Sequence, residues 1–221
     1  MEILQRRLLQ HLMNTDSPLP KEYQRVEYIE STGTQYIDTN LPFQNYPGFK
    51  IKCKKTDTAG HVIFGAVGTA TSTNAKFGVR LMLGQNVSST QFQVVGYYGQ
   101  LYSALYTSVE DWHDIELSSG LLVCDGVENS FTKVFNASTY NILLFGSNQF
   151  GTITPAKAKI DTFQVFWGQD SPEIARDFVP CYRKSDGVIG MYDLCGSICP
   201  LTETPFYINA GDGEFLKGDD I

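Results

Sequence analysis

The sequence predicts an all-β protein, built as a sandwich of short antiparallel strands. From Tyr23 onward, apolar and polar residues alternate with a period of two, which is typical of strands that bury one face. These stretches are rich in Val, Ile, Phe and Tyr and are separated by Gly, Ser, Asn, Asp and Thr. Little helical periodicity lies between them, which favours a sandwich over a parallel sheet with crossover helices.

The period-two segments define the candidate strands, and one further element is predicted near the C-terminal end. A short helix is expected after Ser171-Pro172-Glu173, because Ser can cap a helix and Pro suits its first position. The predicted strands are Arg25–Ile29, Gln35–Thr39, Phe49–Lys54, His61–Ala66, Phe77–Leu83, Gln91–Tyr98, Trp112–Leu117, Leu121–Asp125, Asn141–Phe145, Ala158–Trp167, Phe178–Tyr182, Val188–Asp193 and Phe206–Asn209.

The first twenty residues differ from the rest and are predicted to form a separate segment. Met1–Met13 carries apolar residues at helical spacing, and residues 14–20 (NTDSPLP) interrupt this pattern and form a linker. A helix this short is marginal alone, so its apolar stripe must pack on something. Packing on its own domain and docking to a copy or a partner both remain open. The chain is therefore predicted to consist of an attachment or assembly segment, residues 1–20, and a sandwich domain, residues 21–221. The assembly stripe consists of Ile3, Leu4, Leu8 and Leu12.

Composition narrows the functional classes. The 221 residues are 42% hydrophobic and 19% charged, as expected for a globular chain. The net charge of −7 disfavours nucleic acid as a partner. No apolar run is long enough to cross a bilayer, and Arg6 and Arg7 interrupt what would be the core of a signal peptide. No membrane insertion is therefore expected.

The five cysteines are too few and too scattered to form a disulfide framework. A reducing compartment is the simpler interpretation. The pair Cys195 and Cys199 could close a small loop or bind a metal ion, but it lacks a second pair or a nearby histidine. Neither a metal ion nor a cofactor is expected.

No catalytic residues are predicted. The strand period places His113 on the face of the buried residues Ile115 and Leu117, where a core-edge histidine with one hydrogen bond is expected. Asp114 and Glu116 share the opposite face, about 7 Å apart, and could in principle form a glycosidase pair. Ser and Asp flank them instead of the aromatic and apolar residues that shape a cleft, so a solvated outer face is favoured.

A cluster of tyrosines marks the candidate binding site. Tyr97, Tyr98, Tyr102 and Tyr106 lie close together near Gly96 and Gly99. Aromatic faces near a turn can stack on sugar rings, whereas ordinary cross-strand tyrosine pairs are the plainer alternative. The predicted glycan-binding residues are Tyr97, Tyr98 and Tyr102.

Two pairs of strands resemble those of laminin-G-like, concanavalin A-like jelly rolls. Trp112–Leu117 (WHDIEL) followed by Val123–Gly126 (VCDG) resembles the family's hairpin with a tight Asp-Gly turn. Asn141–Gly146 and Ala158–Phe166 resemble its later strand pair. The resemblance implies an antiparallel jelly roll, with the short N-terminal amphipathic helix added to it.

A closer resemblance extends over almost the whole chain after the linker. Glu27–Thr39, Arg176–Asp193 and Phe206–Phe215 resemble LamG-like virion-associated proteins of tailed phages and prophages of gut bacteria. This resemblance implies a head-fibre, tail-fibre or decoration protein that binds capsid or tail proteins, with host or mucosal glycans as further ligands. Repeated display on a shell favours a homo-oligomer, for which a trimer is expected.

Two features depart from that family pattern. Leu194–Pro205 is longer than the expected turn, and the calcium ligands of some laminin-G-like domains cannot be placed. The alternative functions are a soluble bacterial carbohydrate-binding module and, less favoured, a glycoside hydrolase.

Overall fold

In the computed structural model, the described residues are 19–44, 48–69, 76–98, 101–109, 111–118, 120–132, 137–167, 173–195 and 205–221. The predicted N-terminal helix, with Ile3, Leu4, Leu8 and Leu12, lies outside these residues. Within them, no helix could span a membrane.

The described residues form strands and connecting turns, which confirms the all-β prediction. The strands are β1 Tyr23–Arg25, β2 Ile29–Thr32, β3 Ile37–Gln44, β4 Gly48–Lys55, β5 His61–Thr69, β6 Lys76–Asn86, β7 Gln91–Tyr98, β8 Leu101–Ser108, β9 His113–Ser118, β10 Leu121–Cys124, β11 Val127–Ser130, β12 Ala137–Leu144, β13 Gly146–Gln149, β14 Thr152–Pro155, β15 Lys157–Trp167, β16 Glu173–Arg183, β17 Ile189–Asp193, β18 Phe206–Ile208 and β19 Leu216–Lys217.

Several sequence expectations need correction. The helix predicted after Ser171-Pro172 is wrong from Glu173 onward, where β16 begins, because this segment pairs with β15 on one side and with β17 on the other. The predicted strand Arg25–Ile29 is instead divided between β1 and β2. β8, β11, β13, β14 and β19 were missed. β11 and β14 are exposed along most of their length and so lack a clear apolar alternation, and β19 has only two residues, both exposed.

The strands form two sheets. The larger sheet has eleven strands, with the path β11-β10-β9-β4-β15-β16-β17-β18 and with β1, β2 and β19 attached beside it. The smaller sheet has eight strands, with the path β14-β13-β5-β6-β7-β8 and with β12 and β3 attached. The pairings are antiparallel, except that β13 and β5 run parallel.

Phenylalanines hold the two sheets face to face. Phe49 and Phe163 come from the larger sheet, and Phe64 comes from the smaller one; all three are fully buried. The ring of Phe64 lies 5.2 Å from that of Phe49 and 5.1 Å from that of Phe163. Burying such a side chain contributes about 1.5–3 kcal/mol, so this cluster is a main source of stability.

The predicted Asp-Gly turn is confirmed. Asp125 and Gly126 both have positive φ, at 51° and 79°, and Cys124 pairs with Val127 directly across the turn. This is the backbone pattern of a type I′ hairpin, whose twist matches that of the flanking strands. The turn carries the Asp125 carboxylate to the edge of the larger sheet, beside β9.

Candidate functional site

The outer face of the smaller sheet carries a row of residues in register across four strands. Gly65 of β5 pairs with Arg80 of β6, Arg80 pairs with Tyr97 of β7, and Tyr97 pairs with Tyr102 of β8. Adjacent strands are about 4.8 Å apart, so the row spans roughly 14 Å. We call Gly65, Arg80, Tyr97 and Tyr102 the tyrosine row.

Of the predicted glycan-binding residues, the structure brings Tyr97 and Tyr102 together as cross-strand partners, whereas Tyr98 pairs with Leu101. The side chains of Tyr98 and Tyr102 lie outside the described residues. Tyr97 is partly exposed, as a ligand-binding ring must be.

Arg80 is the residue that sequence reasoning missed at this site. Its guanidinium carbon lies 4.0 Å from the centroid of the Tyr97 ring, a close cation–π stack. Its Nη1 donates to Gln149 Oε1 at 3.4 Å, and Gln149 Nε2 in turn donates to Ser147 Oγ at 3.0 Å. Arg80 and Gln149 are 69 positions apart, so no local pattern joins them to the tyrosines.

Gly65 makes the close packing at the start of the row possible. A Cβ atom on Gly65 would lie 2.7 Å from the Arg80 Cβ and 2.8 Å from the Val79 carbonyl oxygen, which is too close for any side chain. A glycine at this position therefore permits the observed approach of β5 and β6 beside Arg80.

The carboxylates of Asp114 and Glu116 lie on the outer face of the larger sheet, as predicted. They line a shallow groove of about 290 Å³ together with Lys50, Lys52 and Gln164. Lys50 Nζ lies 3.1 Å from Glu116 Oε2, so this carboxylate has a cationic neighbour. Hydrogen bonding to Asp161 raises the pKa of Lys52, and the charge of Asp114 acts in the same direction. Glu116 is thus ion-paired on an open face, whereas Asp114 lies near Lys52, whose own ion-pair partner is Asp161.

His113 faces inward, as predicted, but makes more contacts than the single hydrogen bond expected from sequence. Its side chain is 1% exposed. Nδ1 lies 2.8 Å from Asp125 Oδ2, and Nε2 lies 3.0 Å from the Ser108 carbonyl oxygen. Asp125 Oδ1 accepts the Asp114 backbone N–H at 3.0 Å, so the Asp-Gly turn is tied to β9 at two points.

Thr107 and Cys124 complete this cluster. Thr107 Oγ1 lies 3.2 Å from His113 Nδ1 and 3.3 Å from Asp125 Oδ2. Cys124 Sγ lies 3.5 Å from Asp125 Oδ2. Burial raises the pKa of Cys124 to about 12, and the charge of Asp125 adds to the effect. We call Thr107, His113, Cys124 and Asp125 the His113 cluster.

The pKa of Asp125 is lowered by this environment. Burial by itself would raise it, but the hydrogen bonds from His113 and from the Asp114 backbone outweigh that effect. The carboxylate is therefore ionised at neutral pH, and it lies at the surface, with 42% of its side chain exposed.

The motif Arg176–Asp193, which carried the family resemblance, encloses a buried ion pair formed by its first and last residues. Both side chains are fully buried, and Arg176 Nη1 donates to Asp193 Oδ2 at 3.0 Å. Asp193 Oδ1 accepts the backbone N–H groups of Asp177 and Cys195, each at 3.0 Å. Arg176 Nε and Nη2 have no hydrogen-bond partner in the described part of the chain.

The other two resemblance motifs, Glu27–Thr39 and Phe206–Phe215, interlock at one corner of the fold. Asn209 Oδ1 accepts the Tyr36 backbone N–H at 3.1 Å, and its Nδ2 donates to the Gly213 carbonyl oxygen at 2.7 Å. The Ala210 N–H donates to the Tyr36 carbonyl oxygen at 2.8 Å. These contacts, like the buried ion pair, give the motifs a structural role within the sandwich.

Comparison with known proteins adds no family. No protein-family model matches the sequence, and no curated protein matches it. Among solved structures, the chain is similar to the CBM40 of the Ruminococcus gnavus IT-sialidase, with 13% identity, a TM-score of 0.39, and coverage of 62% of this chain and 90% of that chain. The same CBM40 bound to alpha2,6 sialyllactose gives 14% identity, a TM-score of 0.38, and coverage of 62% and 89%.

A third similar structure is the native heptameric SAP-like pentraxin from Limulus polyphemus. It shares 10% identity and a TM-score of 0.49, with coverage of 91% of this chain and 97% of that chain.

Proposed function

We propose that this chain is a non-enzymatic glycan-binding module of the jelly-roll, laminin-G-like type, displayed as an accessory protein on a phage virion. The observation that carries the glycan-binding part is the stack of Arg80 on Tyr97 within the tyrosine row. It presents a partly exposed aromatic ring with a guanidinium stacked on one of its faces.

This arrangement suits sugars for two chemical reasons. The C–H groups of a sugar ring pack on an aromatic ring, and a planar guanidinium donates several hydrogen bonds to hydroxyl or carboxylate oxygens. Gln149 adds an amide beside Arg80 and helps to hold the guanidinium in place. Because both groups are already held, little conformational entropy is lost when a ligand binds.

The expected affinity is low for a single chain. Stacking on one aromatic ring contributes on the order of 1 kcal/mol, and a millimolar Kd corresponds to only about 4 kcal/mol. Several copies on one particle would raise the avidity strongly. A homo-oligomer, for which we favour a trimer, fits this requirement, with residues 1–20 as its assembly or attachment segment.

The virion setting rests on the three motifs Glu27–Thr39, Arg176–Asp193 and Phe206–Phe215, which resemble those of phage head-fibre, tail-fibre and decoration proteins. In this setting the chain is made in the host bacterial cytoplasm and binds capsid or tail proteins. A soluble bacterial carbohydrate-binding module would use the same face without assembly. Detection of the chain in purified particles supports the virion setting, and its absence from them favours the soluble module.

The absence of catalysis is part of the proposal. Lys50 pairs with Glu116, Lys52 pairs with Asp161, and Asp114 and Glu116 lie side by side on one open strand face. A glycosidase pair instead needs two carboxyl groups on either side of a bound sugar. Turnover in a broad polysaccharide screen that Asp114→Asn or Glu116→Gln abolishes would contradict this part.

The central test is a glycan array probed with the purified full chain. We expect weak binding that Tyr97→Ala and Arg80→Ala each remove. Tyr106→Ala is the matched control, because Tyr106 is 64% exposed in the same hairpin but pairs with Gln93, four residues further along β8 than Tyr102. A blank array for the oligomer, or equal binding by all three variants, would show that the tyrosine row is not a glycan site.

A further inference from the structure

The His113 cluster joins the two sheets at one edge of the sandwich. Thr107 belongs to β8 of the smaller sheet, whereas His113 lies in β9, Cys124 in β10 and Asp125 in the hairpin turn of the larger sheet. One nitrogen, one sulfur and one carboxylate oxygen from His113, Cys124 and Asp125 lie within 4.8 Å of one another. Glycan binding uses a different face and does not involve this cluster.

We propose that His113 Nδ1, Cys124 Sγ and Asp125 Oδ2 bind a zinc ion, with Thr107 at the fourth position. Imidazole nitrogen, thiolate sulfur and carboxylate oxygen are the three ligand types that Zn²⁺ takes in proteins, in tetrahedral geometry. Calcium and magnesium prefer all-oxygen sites, so a sulfur ligand disfavours them.

The distances from Asp125 Oδ2 to the other donors, and from Thr107 to His113, are close to those of such a site, and the ligand atoms of His113, Cys124 and Asp125 all lie within 4.8 Å of one another. Zinc–ligand bonds of about 2.0–2.3 Å place the atoms of a tetrahedral site roughly 3.3–3.6 Å apart. The observed distances to Asp125 Oδ2 are 3.5 Å from Cys124 Sγ and 3.3 Å from Thr107 Oγ1. Thr107 Oγ1 lies 3.2 Å from His113 Nδ1. The 2.8 Å from Nδ1 to Oδ2 must lengthen by about half an ångström, which the exposed Asp125 side chain can accommodate.

The surrounding hydrogen bonds orient two of the ligands as metal sites require. Ser108 presents a carbonyl oxygen to His113 Nε2, and a carbonyl can only accept, so the proton lies on Nε2. This leaves Nδ1 aimed at the cluster. The Asp114 backbone N–H holds Asp125 Oδ1, which leaves Oδ2 directed at the same point. Histidine ligands in metal sites donate their other ring N–H to a carbonyl or carboxylate in this way.

Zinc binding exchanges protons for the metal. Zinc would replace the contacts that Asp125 Oδ2 makes with His113 Nδ1 and with Cys124 Sγ. A bound dication removes the proton from a coordinating thiol, so Cys124 would bind as the thiolate. Binding should therefore release protons, and zinc would clasp β8 to the hairpin of β10 and β11.

The test uses the full chain, reduced and freed of metal, titrated with ZnCl₂ by calorimetry and with Co²⁺ by absorption spectroscopy. We expect one zinc ion per chain at this site and a sulfur-to-cobalt charge-transfer band. Cys124→Ser should remove the band. Loss of a residue that only hydrogen-bonds to a metal ligand typically weakens metal binding by roughly 10–100-fold. Asp125→Asn removes a ligand itself, so it should weaken zinc binding by more than that.

Matched controls separate this cluster from other thiols. Cys181→Ser replaces another buried cysteine, on β16, and should keep both the zinc stoichiometry and the band. The double variant Cys195→Ser/Cys199→Ser removes the pair noted in the sequence and should also keep them. Far-UV circular dichroism confirms folding, and ZnCl₂ should raise the thermal midpoint of the unsubstituted chain but not that of Asp125→Asn.

Two results would overturn the proposal. One is an unsubstituted chain that binds no zinc. The other is a cobalt band that survives Cys124→Ser and disappears in Cys195→Ser/Cys199→Ser, which would place the metal at that pair.

Discussion

Replacing Arg176 by methionine should destabilise the fold strongly and in a pH-dependent manner. Arg176 and Asp193 are both fully buried, and their ion pair lies inside the sandwich. Removing one partner of such a pair leaves an unpaired buried charge and costs about 3–5 kcal/mol. For a chain of this size, roughly 2–4 °C of thermal midpoint accompanies each kcal/mol, so we expect a drop of roughly 6–20 °C.

The pH dependence follows from Asp193. Burial raises the pKa of Asp193, and the backbone hydrogen bonds together with Arg176 oppose that rise. Without Arg176 the pKa of Asp193 rises further above its unfolded value of about 3.9. The folded variant then binds a proton more readily than the unfolded chain, so its stability is greatest at low pH and falls as pH increases. The deficit should therefore be smaller at about pH 5.5 than at about pH 8.

Urea unfolding followed by circular dichroism at both pH values measures this effect. The double variant Arg176→Met/Asp193→Asn should recover part of the loss, because no unpaired charge remains. Arg183→Met is the control, since the Arg183–Asp186 pair is 39% and 42% exposed and should matter little. A loss below about 1 kcal/mol at both pH values, or a deficit that grows on acidification, would refute the reasoning.

Three further predictions concern the turn, the interlocked corner and the N-terminal segment. Because the pKa of Asp125 is lowered, its contribution to stability is present above about pH 4 and is lost as pH falls through the folded pKa. The stability difference between the unsubstituted chain and Asp125→Asn, in metal-free buffer, should therefore disappear in acid urea titrations. Gly211→Ala should destabilise the fold by about 1–3 kcal/mol in urea, because the added Cβ overlaps the Thr34 carbonyl oxygen. Gly48→Ala is the control, because its added Cβ would lie no closer than 3.5 Å to a neighbouring atom and should leave stability almost unchanged; an equal or greater loss there would contradict the packing explanation. Deleting residues 1–20 should change the oligomeric mass measured by light scattering while leaving the thermal midpoint almost unchanged; a much lower midpoint at constant mass would instead assign the segment to the core.

Features that depend on neighbouring residues were predictable from the sequence. Alternation with a period of two reflects the pleat of a single strand, so the all-β class and most central strands could be recognised. The Asp125-Gly126 turn was predictable for the same reason, since its backbone conformation is specified by those two residues. The inward orientation of His113 followed from the same alternation.

The exposed strands were not predictable in this way. β11 is exposed throughout, and β14 is mostly exposed, so neither carries the alternation that burial imposes on a strand. Ser171-Pro172-Glu173 has the local signals of a helix start, yet β16 begins at Glu173 because the residues that follow pair with β15 and β17. Tertiary pairing outweighed a local preference there.

The sequence by itself determined the class of fold and the Asp125-Gly126 turn. Both depend on interactions among residues that are close together in the chain. Only the tertiary structure decided which distant side chains share a site. The pairing of β6 with β7 places Arg80 on Tyr97, and the packing of β8 against the hairpin of β10 and β11 brings Thr107 to Asp125. Strand register links residues tens of positions apart, and a shift of one residue would turn each of these side chains to the opposite face.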